Sequence, residues 1–352
     1  MNAANRHPFG KVNQRELARE LGVSQSLISK ILSGKNDASK EMTARILKAV
    51  KEKGYRPNLL VRGIQTGQTK TIGVVMPADE FHSGIVQGIH DSFDQAGYAM
   101  ILVWNAEYMA TPDSQKELMY IHRLLDRRVD GVILRPTYDD ATKMYFSEIL
   151  ERGIPLVIVD RKLVGVATDF VGTDDYAGGV MAAKHLLDLG HRRLGHIAGP
   201  SRVRTAKDRR RGFEAAVAEY GNGASCRTIE AAGFRSVKAE ALQLLQSQPR
   251  PTAVFGANDH TAAEICETAR SLGLHVPGDI SVVGFGDLAF GEYMSPPLTT
   301  IRQHPYRIGE EAAMLLLARC TGISKTGDAA SAQNIILKPE LVVRGSTRND
   351  RI

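Results

Sequence analysis

An α/β core behind a small all-α head is the architecture this sequence predicts. Three observations carry it. Residues 1–70 hold 14 Lys+Arg against 5 Asp+Glu, a net +9, whereas the remainder is −3, so the whole-chain +6 sits in the N-terminal fifth. Within that segment, "LARELGVSQSLISKILSG" reads as two short amphipathic helices broken at Gly22-Val23. From Thr71 onward, short apolar runs alternate with amphipathic stretches, as in parallel sheets covered by helices.

The head comes first. Asn13 followed by Glu16 three residues later has the form of a capping box, so a helix is expected from about 14 to 20, with Leu17, Ala18 and Leu21 facing inward. Ser24 caps a second helix to about Leu32, whose Leu27, Ile28 and Ile31 face the core. A third helix from Ser39 to about Lys53 closes the core through Ile46, Leu47 and Val50 and ends at Gly54. The second helix then presents only polar side chains outward. Gln25 and Ser26 can reach base edges, while Ser24, Ser29 and Lys30 can reach phosphates. A helical hairpin in an ordinary core is the plain alternative. The polar face and the +9 charge favour double-stranded DNA.

In the body, strands are expected at "TIGVVM", "AMILVW", "GVILR", "PLVIVD", "RLGHIA", "TAVFGA" and "ISVVGF". Helices are expected at about 83–96, 113–127, 175–189, 205–220, 236–247, 259–272 and 305–319. A break near 160–172 divides the strand–helix units into two lobes, with a ligand expected at strand carboxyl ends between them. The 352 residues exceed what one core usually holds. No apolar run is long enough to span a bilayer, and the N-terminus lacks an apolar export signal. The three cysteines lie far apart without ligand spacing, which fits reduced thiols in a cytoplasmic, nucleoid-associated protein. His185, His191 and His196 fall on a helix end, a loop and a strand, so structural histidines and no metal or cofactor are expected. No nucleophile–base pair stands in a catalytic setting, so an enzyme is not expected.

A resemblance sharpens these readings. "VNQRELARELGVSQSLISKILSG" followed by "GYRPN" resembles the DNA-binding head of the LacI/GalR (lactose-repressor) family. "DGVILRP", "GIPLVIVDR", "HLLDLGHRRLGHIAGP", "TAKDRRRGF", "FGANDHTA", "DISVVGFGD" and "PPLTTIRQ" are similar to stretches of that family, in its order. The resemblance implies a helix-turn-helix domain over 1–57, a hinge helix and linker over 58–70, and a periplasmic-binding-protein-like core over 71–346. Lobe 1 would span about 71–165 and 300–325, and lobe 2 about 166–298 and 330–346. The chain would cross between lobes near 160–172, 288–300 and 320–332. Asn58 would contact the DNA backbone, and Ile64 would wedge into the minor groove, although Gly63 weakens that helix by about 1 kcal/mol.

By the same resemblance, Arg209 anchors a small-molecule effector, Phe234 packs on its face, and Asp160, Asn258 and Gln303 make polar contacts. Asp259 is expected to cap a helix, and Phe81 and His82 to stand for the family's aromatic pair. Two departures bear on ligand charge. Gly286 stands where the family carries a hydroxyl-accepting Asp, and Arg135 stands where a neutral polar residue is common. Together they favour an anionic carbohydrate, a sugar acid or sugar phosphate. The alternative is that Arg135 pairs internally with Asp160 or Asp139, leaving a pocket for a neutral sugar. The expected function is an effector-controlled repressor, a homodimer on a pseudo-palindromic operator. Control by a protein partner is the second reading; an exported sugar-binding protein is a remoter one. The chain shows no apolar heptad tail for tetramers.

Overall fold

Local capping chemistry sets the head. The computed structural model describes residues 12–32, 38–55, 68–105, 114–137, 146, 148–149, 151–163, 165, 167–234, 236–322 and 331–349. The chain divides into two units, Met1–Thr69 and Lys70–Ile352. In the first, α1 (Gln14–Leu21) starts on a reciprocal capping box: Asn13 Oδ1 accepts from Glu16 N at 2.9 Å, and Glu16 Oε2 accepts from Asn13 N at 3.0 Å. Gly22, at φ 66°, ends it. In α2 (Gln25–Leu32), Ser24 Oγ accepts from Leu27 N at 3.1 Å. In α3 (Lys40–Glu52), Ser39 is the cap. Leu17, Ala18, Ile28, Ile31 and Ile46 form the core of the head, each large side chain contributing about 1.5–3 kcal/mol by burial. Leu47, expected in this core, is instead 47% exposed. Ile46 and Val50 lie four apart and take the inner face, which turns the residue after Ile46 outward. The segment expected to form the hinge, including Asn58 and Ile64, lies outside the described residues.

The second unit holds two six-stranded sheets. Its elements are β1 (Thr71–Pro77), α4 (Glu80–Gln95), β2 (Ala99–Asn105), α5 (Ser114–Asp126), β3 (Gly131–Leu134), β4 (Leu156–Val159), β5 (Asp169–Thr173), α6 (Asp175–Asp188), β6 (Arg193–Ala198) and α7 (Arg204–Tyr220). There follow β7 (Ser225–Glu230), α8 (Lys238–Leu245), β8 (Ala253–Gly256), α9 (Asp259–Ser271), β9 (Ser281–Gly286), a 3-10 turn (Ala289–Tyr293), β10 (Thr299–Arg302), α10 (Pro305–Thr321), β11 (Asn334–Leu337) and β12 (Glu340–Val342). Sheet order is β11-β5-β4-β3-β1-β2 in lobe 1 and β12-β10-β9-β8-β6-β7 in lobe 2. The β10–β12 pair is antiparallel. Both lobes thus share one winding, with the order reversing beside their first strand, where such sheets open a ligand crevice. Apolar clusters cover both faces of each sheet.

The expected lobe boundaries need correction. β5 pairs with β4 and β11 in lobe 1, so the first crossing falls between Thr173 and Asp175 rather than at 160–172. β10 remains in lobe 2 and α10 packs in lobe 1, so the second falls between Arg302 and Pro305. β11 belongs to lobe 1 and β12 to lobe 2, so the third falls between Leu337 and Glu340. The strand β5, "DFVGT", carries an Asp and a Gly that mask it in sequence. Asp169 is admitted because Arg319 holds it in a two-pronged ion pair at 2.8 and 2.9 Å.

Candidate functional site

The head presents one polar helix face. Gln25, Ser26, Ser29 and Lys30 are all exposed on α2, opposite its buried Ile28 and Ile31. Asn13 and Ser24 are exposed too, but their side-chain oxygens serve the two caps. Gln14 Nε2 donates to Gln25 O at 3.0 Å and Arg45 Nη2 to Leu21 O at 3.3 Å, holding the helices in fixed register.

The core unit gathers buried charges at the carboxyl ends of its strands. In lobe 1, Arg135 follows β3 and is 4% exposed. Its Nε donates to Asp160 Oδ2 at 3.1 Å and its Nη1 to Pro136 O at 3.3 Å. Asp160, just past β4, has φ 63°. His82, on the first turn of α4, sets Nδ1 2.7 Å from Asp79 Oδ2 and Nε2 3.6 Å from Asp160 Oδ2. Burial alone would raise the Asp160 pKa. Nearby His82 and the Arg135 and Arg161 charges outweigh it and hold the carboxyl well below the usual carboxylate range. His82 thus lies between two carboxylates, and its ring also meets Phe81 edge-on, centroids 5.2 Å apart, while Phe81 packs against the lobe 1 core.

In lobe 2, Arg209 on α7 is 6% exposed and its nitrogens reach three acceptors. Nε donates to Asp175 Oδ1 at 2.7 Å, Nη1 to Ala257 O at 2.9 Å, and Nη2 to Gln303 Oε1 at 3.2 Å. The guanidinium also lies 3.7 Å from the Phe285 ring centroid. Asp175 and Gln303 lie on the first two crossings, so this arginine joins α7 to both. The helix that bears it is seated by close contact: a Cβ at Gly179 would stand 2.1 Å from Arg209 O. Across the cleft, Glu80 Oε1 accepts from Ala289 N at 2.7 Å.

Asp175 was missed in the sequence. Asp174 caps α6, accepting from Ala177 N at 2.9 Å, so one Asp of the "DD" pair suffices for capping and the second is surplus. That surplus was the available signal. Burial pushes the Asp175 carboxyl up to about 7; Arg209 opposes this and the Asp160 charge adds to it.

The other expected residues are placed as follows. Asn258 caps α9, its Oδ1 accepting from Thr261 N at 2.8 Å. Asp259, the expected cap, is fully buried and accepts from Leu288 N at 2.7 Å and Thr300 Oγ1 at 2.5 Å. Phe234 is half-buried over Gly199 at the end of β6. Gly286, at φ 145°, lies so close to Asp259 that a Cβ there would stand 3.1 Å from Oδ2. His196 stacks on Phe255 at 4.8 Å, and burial lowers its pKa to about 4; His191 contacts Thr252 and Ser281. Among the described residues, no helix is long and apolar enough to cross a membrane.

Comparison with known proteins finds relatives for both units of the chain. Residues 15–58 match the model described as bacterial regulatory proteins, lacI family, and residues 183–347 match a periplasmic binding protein-like domain. The chain is 32% identical to the HTH-type transcriptional regulator DegA of Bacillus subtilis, over 94% of this chain and 97% of that one. It is also 32% identical to the ribose operon repressor of Escherichia coli K12, over 94% and 98%. Among solved structures it is similar to the Lac repressor dimer bound to operator and an anti-inducer, with TM-score 0.83 and 25% identity, covering 96% of this chain and 99% of that one.

Proposed function

This chain belongs to the lacI family of bacterial regulatory proteins, and from that membership we propose a DNA-binding transcription repressor controlled by an uncharged, hydroxyl-rich carbohydrate held between the two lobes. Two heads of a homodimer read the half-sites of a pseudo-palindromic operator. Gln25 and Ser26 contact base edges and Ser29 and Lys30 contact phosphates, with Asn13 and Ser24 placing the helix ends against the backbone. Asn58 and Ile64 complete the minor-groove contact.

One observation carries the ligand class: Arg135 is bonded to Asp160 at 3.1 Å, the internal pairing that engages this guanidinium with a carboxylate of the protein. Arg209 is matched by Asp175 in the same way. This argues against the sugar acid or sugar phosphate that Arg135 and Gly286 favoured in the sequence. A polyol suits alternating guanidinium and carboxylate groups because each hydroxyl both donates and accepts. Arg135, Asp160, Arg209 and Gln303 contact it, Phe234 covers its face, and Asn258 shapes the rim. To regulate, the sugar must bind the DNA-competent and DNA-free forms unequally.

The test is a thermal-shift comparison of the full chain with D-ribose, D-glucose, D-gluconate and D-glucose 6-phosphate. A ligand at a hundred times its Kd stabilises by about 2.7 kcal/mol. Stabilisation by a neutral sugar is expected. Stabilisation by the acid or phosphate alone would return Arg135 to the role of a free cation and overturn the ligand class. Selection of duplexes from a random pool by the full chain should yield pseudo-palindromes, and Gln25→Ala should relax the choice at one position in each half-site.

A further inference from the structure

One side chain of the head lies outside the reading face of α2 and is nonetheless fastened to the start of that helix. Gln14 opens α1 and is half-buried. Its Nε2 donates to Gln25 O at 3.0 Å, the backbone of the first residue of α2. The capping of α1 is complete without it, since Asn13 and Glu16 close the box between themselves. Among the described residues nothing is bonded to Gln14 Oε1, and nothing to the side-chain amide of Gln25.

The acceptor fixes the amide. A backbone carbonyl only accepts, so the NH2 group of Gln14 faces Gln25 O and its carbonyl oxygen faces away. Within α2 the same backbone carbonyl has Ser29 N as its helical partner, because each N–H bonds four residues back. The bond from Gln14 is thus not required to satisfy the backbone of α2. Its effect is to hold the Gln14 amide in one orientation beside Gln25 before any partner arrives.

We propose that Gln14 is a second base-reading amide, which recognises an adenine in a base pair next to the one that Gln25 meets. The assignment rests on the DNA-binding function of the head. In helix-turn-helix docking, the N-terminal residues of the second helix reach base edges in the major groove. A group 3.0 Å from the backbone of the first such residue stands at that same end. A primary amide carries two N–H groups and one C=O. The N–H trans to the oxygen goes to Gln25 O. The remaining N–H and the C=O lie side by side, and this donor–acceptor pair matches adenine N7 and N6–H. The amide carries no charge, so the contact adds sequence preference and not the salt-dependent affinity that cations draw from phosphates.

The test selects duplexes from a random pool with the full chain, its Gln14→Ala variant and its Gln25→Ala variant. Gln14→Ala should lower the preference for adenine by about tenfold at one base pair of each half-site. That pair should differ from the pair relaxed by Gln25→Ala. Relaxation of the same pair by both variants would make Gln14 a positioning residue for Gln25 and overturn the proposal. A loss of affinity equal over all sequences would overturn it too. Should Gln14→Ala not fold, Gln14→Met keeps the length of the side chain without its amide and carries the same outcomes. A wild type that selects no sequence would refute the DNA-binding reading of the head and the proposal with it, a result distinct from the two above.

A second arm works at the level of one atom. The selected adenine is replaced by 7-deazaadenine, which lacks the N7 acceptor. The wild type should bind this duplex several-fold less tightly, whereas Gln14→Ala should bind the two duplexes alike. Equal losses in both proteins would assign that N7 to another side chain and overturn the contact.

Discussion

Two buried arginine–aspartate pairs of this molecule look alike and behave oppositely. Asp160 lies 3.1 Å from Arg135 and is held well below the carboxylate range; Asp175 lies 2.7 Å from Arg209 and stands at about 7. Partner distance does not explain this, because the shorter pair has the higher value. The neighbours do. Burial raises both groups, but at Asp160 a histidine and a second arginine reinforce the first, whereas at Asp175 two further carboxylates oppose it. An ion pair inside a protein takes its protonation state from the whole shell of charges around it.

That contrast can be broken most forcefully at the arginines. Arg209→Met strands the Asp175 carboxyl, the Gln303 side chain and Ala257 O in a buried site, and should cost about 3–5 kcal/mol by chemical denaturation at neutral pH. Arg135→Met leaves Asp160 with His82 and Arg161 and should cost clearly less. Equal losses would mean that the extra cations of lobe 1 contribute nothing.

Gly179→Ala tests the backbone beneath one pair. Its methyl would meet Arg209 O at 2.1 Å and push α7 away from α6, so a loss of about 1–3 kcal/mol is expected, with a weaker response to any stabilising sugar. An unchanged melting curve would show that the helices adjust freely.

Asp160→Asn sharpens the comparison through pH. Because the folded pKa of Asp160 is depressed, its contribution is present above the unfolded value of about 3.9 and is lost as pH falls below it. The variant should be less stable than wild type at pH 7, by roughly 1–3 kcal/mol, and the gap should close in acid. The pH trend is opposite in sign to that expected at Asp175. A gap that widens toward acid would contradict the assignment.

The smallest effects belong to the head, which contains neither pair. Asn13→Ala removes one side of a capping box and should cost about 1 kcal/mol in thermal unfolding of the head. Gln25→Ala, on an exposed position, should change stability by less than about 0.5 kcal/mol while relaxing base preference by about 1–3 kcal/mol.

Much of this was legible in the order of residues. The capping box at Asn13 and Glu16, the cap at Ser24, the inward Ile28 and Ile31 and the outward Gln25 all follow from contacts three or four residues apart. Seven of the twelve described strands are near-continuous apolar runs, so they were readable too. β5 and β7 were not, because an Asp, a Gly and an alternating polar pattern hide them, and neither were β10, β11 and β12, which are only three or four residues long. Leu47 misled for a simpler reason: an apolar residue beside a core position satisfies composition but not the helical angle.

What the sequence determined by itself is therefore local: the head, its caps, its reading face, and the alternation that makes an α/β core. The tertiary structure decided which charges meet. Arg135 and Asp160 are 25 residues apart, Arg209 and Asp175 are 34, and Arg209 and Gln303 are 94. Which of these partners a guanidinium finds depends on where each strand ends and where the chain crosses between lobes, and those positions follow from sheet pairing across the whole core. Net charge in the cleft is a sum over such long-range neighbours, so Arg135 alone could not reveal it.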